Sequence, residues 1–365
     1  MKAAVLRAFG EPLRIEELET DPPREGEVLV RYAASGVCHS DLHSAEGIHP
    51  PQLPTTLGHE GAGVVEEVGP SVDVVAPGDH VIVTWLPACG HCRFCVAGRP
   101  QLCDNVAWAD AGVMADGTIR YHAGGERIHH YSGVSSFAEL AVVPTQGLIR
   151  LDPDLPLRDM ALLGCAVMTG VGAVLNTAAV RPGETVAVVG CGGVGLSIVQ
   201  GARIAGASRI VAIDVVDEKL TLAAQLGATD VVSAAGADVV GEVRQLLSGG
   251  ADHSFEALGR PETIRTAIDL TGKGGTAVLV GMAPSDARVE IDPLTMTVSE
   301  RGIKGCWYGS CRPGRDYPRL IELYRSGELL LDPMVTRTCA LDEVNEAFDA
   351  MRRGEGARTV IVYDS

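Results

Sequence analysis

The sequence predicts a two-domain α/β protein, an irregular β-rich domain joined to a doubly wound parallel sheet. Three observations predict it. The 365 residues exceed what one ordinary core holds. The first third of the chain carries short β-branched runs ended by glycines. From about residue 162 to residue 282, short apolar runs alternate with helical stretches, the pattern of strands joined by crossover helices.

The β-rich part rests on EVLVRY (residues 27–32), GVVEEV (63–68) and HVIV (80–83), the last following the turn signal PGD (77–79). The alternating part reads strand at TVAVV (185–189), helix at 194–204, strand at RIVAI (209–213), helix at 218–226, strand at DVV (230–232) and a later strand at TAVLV (276–280). The last sixty or so residues return to mixed character and are expected to pack back on the first domain. The expected division is 1–166 with 308–365, and 167–307.

The formal net charge of −17, with no Lys/Arg run, argues against nucleic acid or an anionic membrane as partner. The apolar stretch in MKAAVLRAFGEP is short and carries Arg7, so it does not read as a signal peptide. No uninterrupted apolar run reaches about 18 residues. A cytoplasmic location is the default expectation, and in a reducing compartment the ten cysteines are better read as metal ligands than as disulfides.

Cys89, Cys92, Cys95 and Cys103 form C-x2-C-x2-C-x7-C on one glycine-containing loop. Four thiolates at this spacing suit a closed, tetrahedral structural Zn²⁺ site, with an iron–sulfur cluster or a disulfide pair as the alternatives. His91 inside the loop reads as a surface residue, because four sulfurs already fill a tetrahedron. A second set is dispersed: Cys38 in GVCHSDLH (36–43), His59 in GHEGAG (58–63) and Cys165 in LGCA (163–166). Two thiolates and one imidazole suggest a zinc site with one open position, although each residue alone would read as core.

The strand at 185–189 runs into Gly190-Cys191-Gly192-Gly193-Val194-Gly195 and then a helix. G-x-G-G-x-G in that setting is a dinucleotide fingerprint: Gly190 for the tight turn, Gly192 for backbone approach to the pyrophosphate, Gly195 for helix–strand packing. Asp214, about twenty residues past the motif, is placed to accept hydrogen bonds from the ribose hydroxyls, which favours NAD over NADP. A solvated strand-end carboxylate is its alternative reading.

GHEGAGVVEEVG fits G-H-E-x2-G-x5-G, and it precedes the four-cysteine loop and the glycine motif in order. By these motifs the chain resembles the zinc-containing alcohol dehydrogenases of the medium-chain dehydrogenase/reductase superfamily, over essentially its whole length. The resemblance implies a GroES-like catalytic domain with a Rossmann cofactor domain, NAD, and two zinc ions per chain. It implies that Cys38, His59 and Cys165 bind a catalytic zinc that favours the alkoxide of a bound alcohol. Glu60 corresponds to an acid able to approach that metal. Asp41 corresponds to the carboxylate orienting the zinc histidine, with a turn or cap residue as the plainer reading. Ser40 and His43 correspond to a proton relay, His39 to a pyrophosphate contact.

The same resemblance places Thr169 and Val194 against the nicotinamide, Lys219 on the ribose and Arg358 on the pyrophosphate. An exposed charge is the alternative for Lys219 and Arg358. Trp85, Trp108, Trp307 and Tyr131 fall at or beside substrate-cleft positions, where they imply an apolar, flat-sided cleft; ordinary packing is the alternative. The expected reaction is NAD-linked interconversion of a bulky hydrophobic primary alcohol and its aldehyde. Thiol-dependent formaldehyde dehydrogenases share the long form, and a dinucleotide-binding regulatory relative without catalysis is the reading from another class. Double-bond reductases of the same fold generally lack both zinc sites; polyol dehydrogenases would want a polar cleft. A homodimer is the family expectation. Cys191, Cys306, Cys311 and Cys339 read as packing or surface thiols.

Overall fold

The computed structural model describes residues 1–236 and 238–364. The chain divides into two compact units: residues 1–165, 312–317 and 335–365, and residues 166–311 and 318–334. This differs from the sequence-based division at the C-terminal side, where residues 308–311 and 318–334 group with the second unit. Hydrogen bonds give the reason. The Gln200 side chain donates to the Leu330 carbonyl and accepts from the Leu330 N–H (2.9 and 2.8 Å), which ties the segment to the helix Gly193–Ile204.

The first unit is built on a mostly antiparallel sheet ordered Leu148–Leu151, His80–Val83, Gly61–Val68, Glu27–Val37, Arg358–Val362, Val335–Cys339, with Leu140–Pro144 also paired to Glu27–Val37. The C-terminal strand Arg358–Val362 thus lies beside the central strand of the N-terminal part, in register Thr359 with Val37. Alternation is clear in Glu27–Val37, where Val28, Val30 and Tyr32 share one buried cluster with Val65, Val81 and Val83. A second cluster joins Leu42, Leu57 and Phe137 to Val344, Ala347 and Phe348 of the C-terminal helix Val344–Arg352.

A charged group sits inside this unit. Arg120 has no exposed surface; its Nε donates to Glu27 (2.9 Å) and its guanidinium also reaches Asp116 (2.9 Å). Nearby, His130 is buried against the Tyr121 ring (4.4 Å between centroids), and its Nε2 accepts the Arg120 backbone N–H at 3.1 Å.

The second unit is a six-stranded parallel sheet ordered Asp230–Ser233, Arg209–Asp214, Thr185–Val189, Ala251–Glu256, Thr271–Leu279, Gly302–Gly305. In chain order this is 3-2-1-4-5-6, the doubly wound dinucleotide-binding topology, with its reversal beside Thr185–Val189. Val186 and Val188 are buried on one face, Ala187 and Val189 on the other. Cover on both faces is why these strands read as continuous apolar runs. Among the described residues, no single helix is long and apolar enough to cross a membrane.

Candidate active site

Two clusters of metal-ligating side chains are preformed. In the first, the sulfurs of Cys89, Cys92, Cys95 and Cys103 all lie within 4.8 Å of one another. The short helix Arg93–Val96 and the turn Pro100–Leu102 wind the loop so that sulfurs face inward and accept N–H groups: Cys92 N–H on Cys89 (3.3 Å), Cys89 and Asn105 N–H on Cys103 (both 3.4 Å). Such bonds stabilise thiolates. The four cysteines are free, which removes the disulfide alternative. His91 is exposed and its Nδ1 lies 2.8 Å from the Cys89 carbonyl, outside the cluster, as expected.

In the second cluster, Cys38, His59, Glu60 and Cys165 bring ligand atoms within 4.8 Å of one another, all four buried. Cys38 begins the helix His39–Ala45, His59 and Glu60 precede the strand Gly61–Val68, and Cys165 ends the first unit. Asp41 organises them. It is fully buried; Oδ1 meets His59 Nδ1 at 2.8 Å and the Gly58 N–H at 3.1 Å, while Oδ2 accepts the Cys38 N–H at 3.1 Å. Asp41 thus serves the helix start, as the third residue bonding back to the Cys38 N–H, and also bonds the histidine ring. With Nδ1 donating to Asp41, Nε2 is the lone pair left for the cluster.

Glu60 pairs through Oε2 with Arg358, whose guanidinium is buried beside it. Its other oxygen, Oε1, is buried with no hydrogen-bond partner. Burial lifts the Glu60 carboxyl above its ordinary range, and the Arg358 charge opposes that shift. For His59, burial pulls the imidazole down, but the Asp41 carboxylate and the Cys38 thiol overcome it and hold it well above its ordinary value. Cys38 is held low by its bond to Cys165, and Cys165 correspondingly high. A buried set of two sulfurs, one imidazole nitrogen and an orphaned carboxylate oxygen is the donor chemistry of a zinc ion. The residues fit the metal.

Sequence reasoning missed the Glu60–Arg358 pair, which joins positions 298 apart. It also missed Gly36, where a Cβ would stand 2.0 Å from Glu60 Oε2. No local signal marks either. Ser40 lies beside the cluster, with its Oγ 3.8 Å from Cys38 Sγ. His39 is exposed and His43 half-buried; their rings are 6.1 Å apart.

In the first unit, the Tyr131 ring meets the His59 ring edge-on at 6.0 Å, and Tyr131 Oη lies 2.9 Å from Ser44 Oγ. Trp108 is half-buried, its Nε1 donating to the Asn105 carbonyl, and its ring would be 3.5 Å from a Cβ at Gly133. Trp85 packs half-buried against the core of that unit. Trp307 is 43% exposed in the second unit.

In the second unit the glycine turn has the geometry its residues require. Gly190 has φ +94°, a left-handed conformation. A Cβ at Gly195 would stand 1.7 Å from the Gly190 carbonyl oxygen, whereas one at Gly192 would meet nothing within 4 Å. Gly193 and Val194 open the helix Gly193–Ile204, which has no side-chain cap. Thr169 is buried on the helix Ala166–Gly172, whose Gly170 abuts the Val194 carbonyl. Asp214 is buried at the end of its strand; its carboxylate accepts the Cys191 N–H (2.6 Å) and the Val216 N–H (3.0 Å). It is therefore built into the turn rather than a solvated strand end, with lone pairs left for further donors. Lys219 is half-buried in the first turn of the next helix, Asp217–Leu226. Cys191, Cys311 and Cys339 are buried, Cys306 half-buried; burial pushes Cys191 up to about 12 and Cys339 up to about 11, as suits packing thiols.

Residues 24–153 match the family of the alcohol dehydrogenase GroES-like domain, and residues 193–326 match the zinc-binding dehydrogenase family. The chain is similar to an NDMA-dependent alcohol dehydrogenase of Amycolatopsis methanolica, 42% identical over 100% of this chain and 99% of that one. The chain belongs to the zinc-dependent alcohol dehydrogenases of the medium-chain superfamily. An S-(hydroxymethyl)glutathione dehydrogenase of Escherichia coli O1:K1 / APEC is also 42% identical, over 99% of each chain. Among solved structures, benzyl alcohol dehydrogenase from Acinetobacter calcoaceticus matches with a TM-score of 0.94 at 32% identity, covering 100% of this chain and 99% of that one. As a zinc-type alcohol dehydrogenase, the chain carries the two clusters as sites compatible with a structural and a catalytic zinc.

Proposed function

We propose that this dehydrogenase interconverts a bulky, hydrophobic primary alcohol and its aldehyde with NAD as hydride acceptor. The observation that carries the reading is the buried Cys38–His59–Cys165 set with Asp41 behind the histidine and an unpartnered Glu60 oxygen within the cluster. A zinc ion held by Cys38, His59 and Cys165 would supply Lewis-acid polarisation of the substrate oxygen. Asp41 fixes the His59 tautomer and ring plane. Arg358 holds one Glu60 oxygen, leaving the other to face the cluster. Ser40 and then His43 carry the alcohol's proton outward. The turn at residues 190–195 with its uncapped helix binds the pyrophosphate, and the Asp214 charge disfavours a 2′-phosphate. His39, Lys219 and Arg358 are assigned to the dinucleotide, Thr169 and Val194 to its nicotinamide ring, and Trp85, Trp108, Tyr131 and Trp307 to the alcohol.

The benzyl alcohol dehydrogenase relative supports the aromatic substrate. The hydroxymethylglutathione relative, as similar in sequence as the NDMA-dependent one, supports a second reading, oxidation of a thiol adduct of formaldehyde. We assign the chain to the cytoplasm and to a homodimer joined along Gly302–Gly305. That strand has a sheet neighbour on one side only among the described residues; its Ile303 is exposed, as are Leu294 and Val298 on the preceding helix Pro293–Ser299.

The test is turnover of ethanol, benzyl alcohol, cinnamyl alcohol and formaldehyde, read as reduced dinucleotide with NAD or NADP and as loss of NDMA with NDMA as acceptor, with and without glutathione, and with zinc counted on the same sample. Turnover of benzyl alcohol with NAD supports the reading. Formaldehyde oxidation only with a thiol moves the chain to the second reading. Turnover with NDMA alone overturns free NAD as the acceptor.

A further inference from the structure

A histidine that the family motifs do not account for stands beside the proton relay. The helix His39–Ala45 is followed by a reversal at Gly47 (φ +77°). The chain then folds back so that the N–H groups of Ile48 and His49 both reach the His43 carbonyl, at 2.9 and 3.4 Å. The His49 carbonyl accepts the Ser44 hydroxyl at 3.1 Å, and with that proton committed, the Tyr131 hydroxyl is the donor to Ser44 Oγ at 2.9 Å. Tyr131 in turn packs edge-on against His59. The position of His49 is therefore held from two sides and tied to the metal-ligating histidine.

The His49 ring lies 5.9 Å from the His43 ring, tilted by 56°. A centroid separation of 5.9 Å is short enough for ring nitrogens to connect directly or through one water. His49 Nε2 is buried without a hydrogen-bond partner. A buried ring nitrogen left unsatisfied is costly in either tautomer, and it persists where a transient partner uses it.

We infer that His49 is a second proton carrier: it accepts the reaction's proton from His43 on Nε2 and releases one to water from its other ring nitrogen. The inference rests on the reading above that His43 receives the alcohol's proton. The step moves one proton and no electrons; His43 returns to its neutral form, and water takes the proton that hydride transfer leaves behind. His49 acts through His43 and touches no reacting atom, so it is a positioning and transfer residue.

The experiment compares the zinc-loaded wild type with His49→Gln and His43→Gln, oxidising benzyl alcohol with NAD in a weak buffer, with increasing external imidazole. The expected result for His49→Gln is a kcat lower by about tenfold, below the range for a group that takes the proton from the reacting atom itself. KM should stay within about twofold, and imidazole should restore the rate. An unchanged kcat, a changed KM with kcat kept, or a loss that imidazole does not restore overturns the inference. If His43→Gln is itself insensitive, the relay reading fails and takes the inference with it; if His43→Gln needs imidazole and His49→Gln does not, only the inference fails. Ring ¹⁵N spectra give a readout without turnover: the ratio of His43 tautomers should change in His49→Gln, and an unchanged ratio overturns the proposal.

Discussion

Replacing Asp41 by Asn should loosen the catalytic metal while leaving the fold intact. The carboxylate accepts three bonds: His59 Nδ1 and the Gly58 N–H on one oxygen, the Cys38 N–H on the other. An amide has one acceptor and one donor end. If its oxygen keeps His59 and Gly58, its NH2 faces the Cys38 N–H, and a buried donor loses its partner at about 1–3 kcal/mol. If it turns over, NH2 faces His59 Nδ1 and forces the tautomer that has its proton on Nε2, where the metal must bind. Either way the imidazole loses the charge that raises its basicity. Losing such a carboxylate costs about 10- to 100-fold in metal affinity, or about 1.4–2.7 kcal/mol. The assay is zinc retained per chain against a graded chelator, scored separately for the four-cysteine site by the number of ions that leave. The expected result is one ion released at lower chelator and the other unchanged. Retention of both ions at wild-type chelator concentrations, with wild-type turnover, would refute the reasoning.

Three further outcomes follow from the same geometry. Arg120→Ala strands the buried Glu27 carboxylate, so chemical denaturation should show a loss of about 3–5 kcal/mol; a loss below about 1 kcal/mol would mean the pair is not desolvated. His130 is pushed down to about 3, chiefly by burial and then by the Arg120 charge, so it stays neutral in the fold while the unfolded chain protonates near 6.5. Between those values the unfolded state binds more protons, and stability falls with pH by up to about 1.4 kcal/mol per unit below 6.5; urea midpoints at pH 7.5 and 5.5 should converge for wild type and His130→Gln if this holds, and stay parallel if it does not. Gly195→Ala drives a Cβ into the Gly190 carbonyl and should cost about 3 kcal/mol in thermal or urea unfolding, whereas Gly192→Ala, with open space around its Cβ, should leave stability within about 0.5 kcal/mol and, on the proposed NAD reading, weaken binding of added NAD about tenfold by calorimetry. Equal effects of the two alanines on stability would contradict the distinction.

The parts of this molecule that were legible in the sequence are those whose physics is local. Four cysteines within one loop, a glycine turn after an apolar strand, and Asp41 three residues from Cys38 each declare themselves over a few positions. The central strand Ala251–Glu256 was not legible, because ADHSFE carries four polar residues in six. Its buried polar groups find partners on the next helix and in the turn that follows: Ser254 bonds the Ala267 carbonyl and Thr271, and one Glu256 oxygen accepts N–H groups of Leu258 and Gly259. The buried charge of Arg120 was hidden for the same reason, since its partner Glu27 is distant in sequence. The segment 318–334 was assigned to the wrong unit because nothing in its own pattern reveals the hydrogen bonds to Gln200.

The strand Arg358–Val362, beside Glu27–Val37, sets a timetable for biosynthesis. The first unit needs residues that precede and residues that follow the second unit in sequence, and Glu60 finds its arginine only once residue 358 has been added. The parallel sheet has all its strands by Gly305, more than fifty residues before Arg358–Val362 is made. Domains usually mature from the N-terminus as they leave the ribosome. In this chain the sheet encoded in the middle can close while the earlier-made catalytic part still waits for its last strand. A nascent chain stalled before that strand would hold cysteine clusters without the arginine that keeps Glu60 in place.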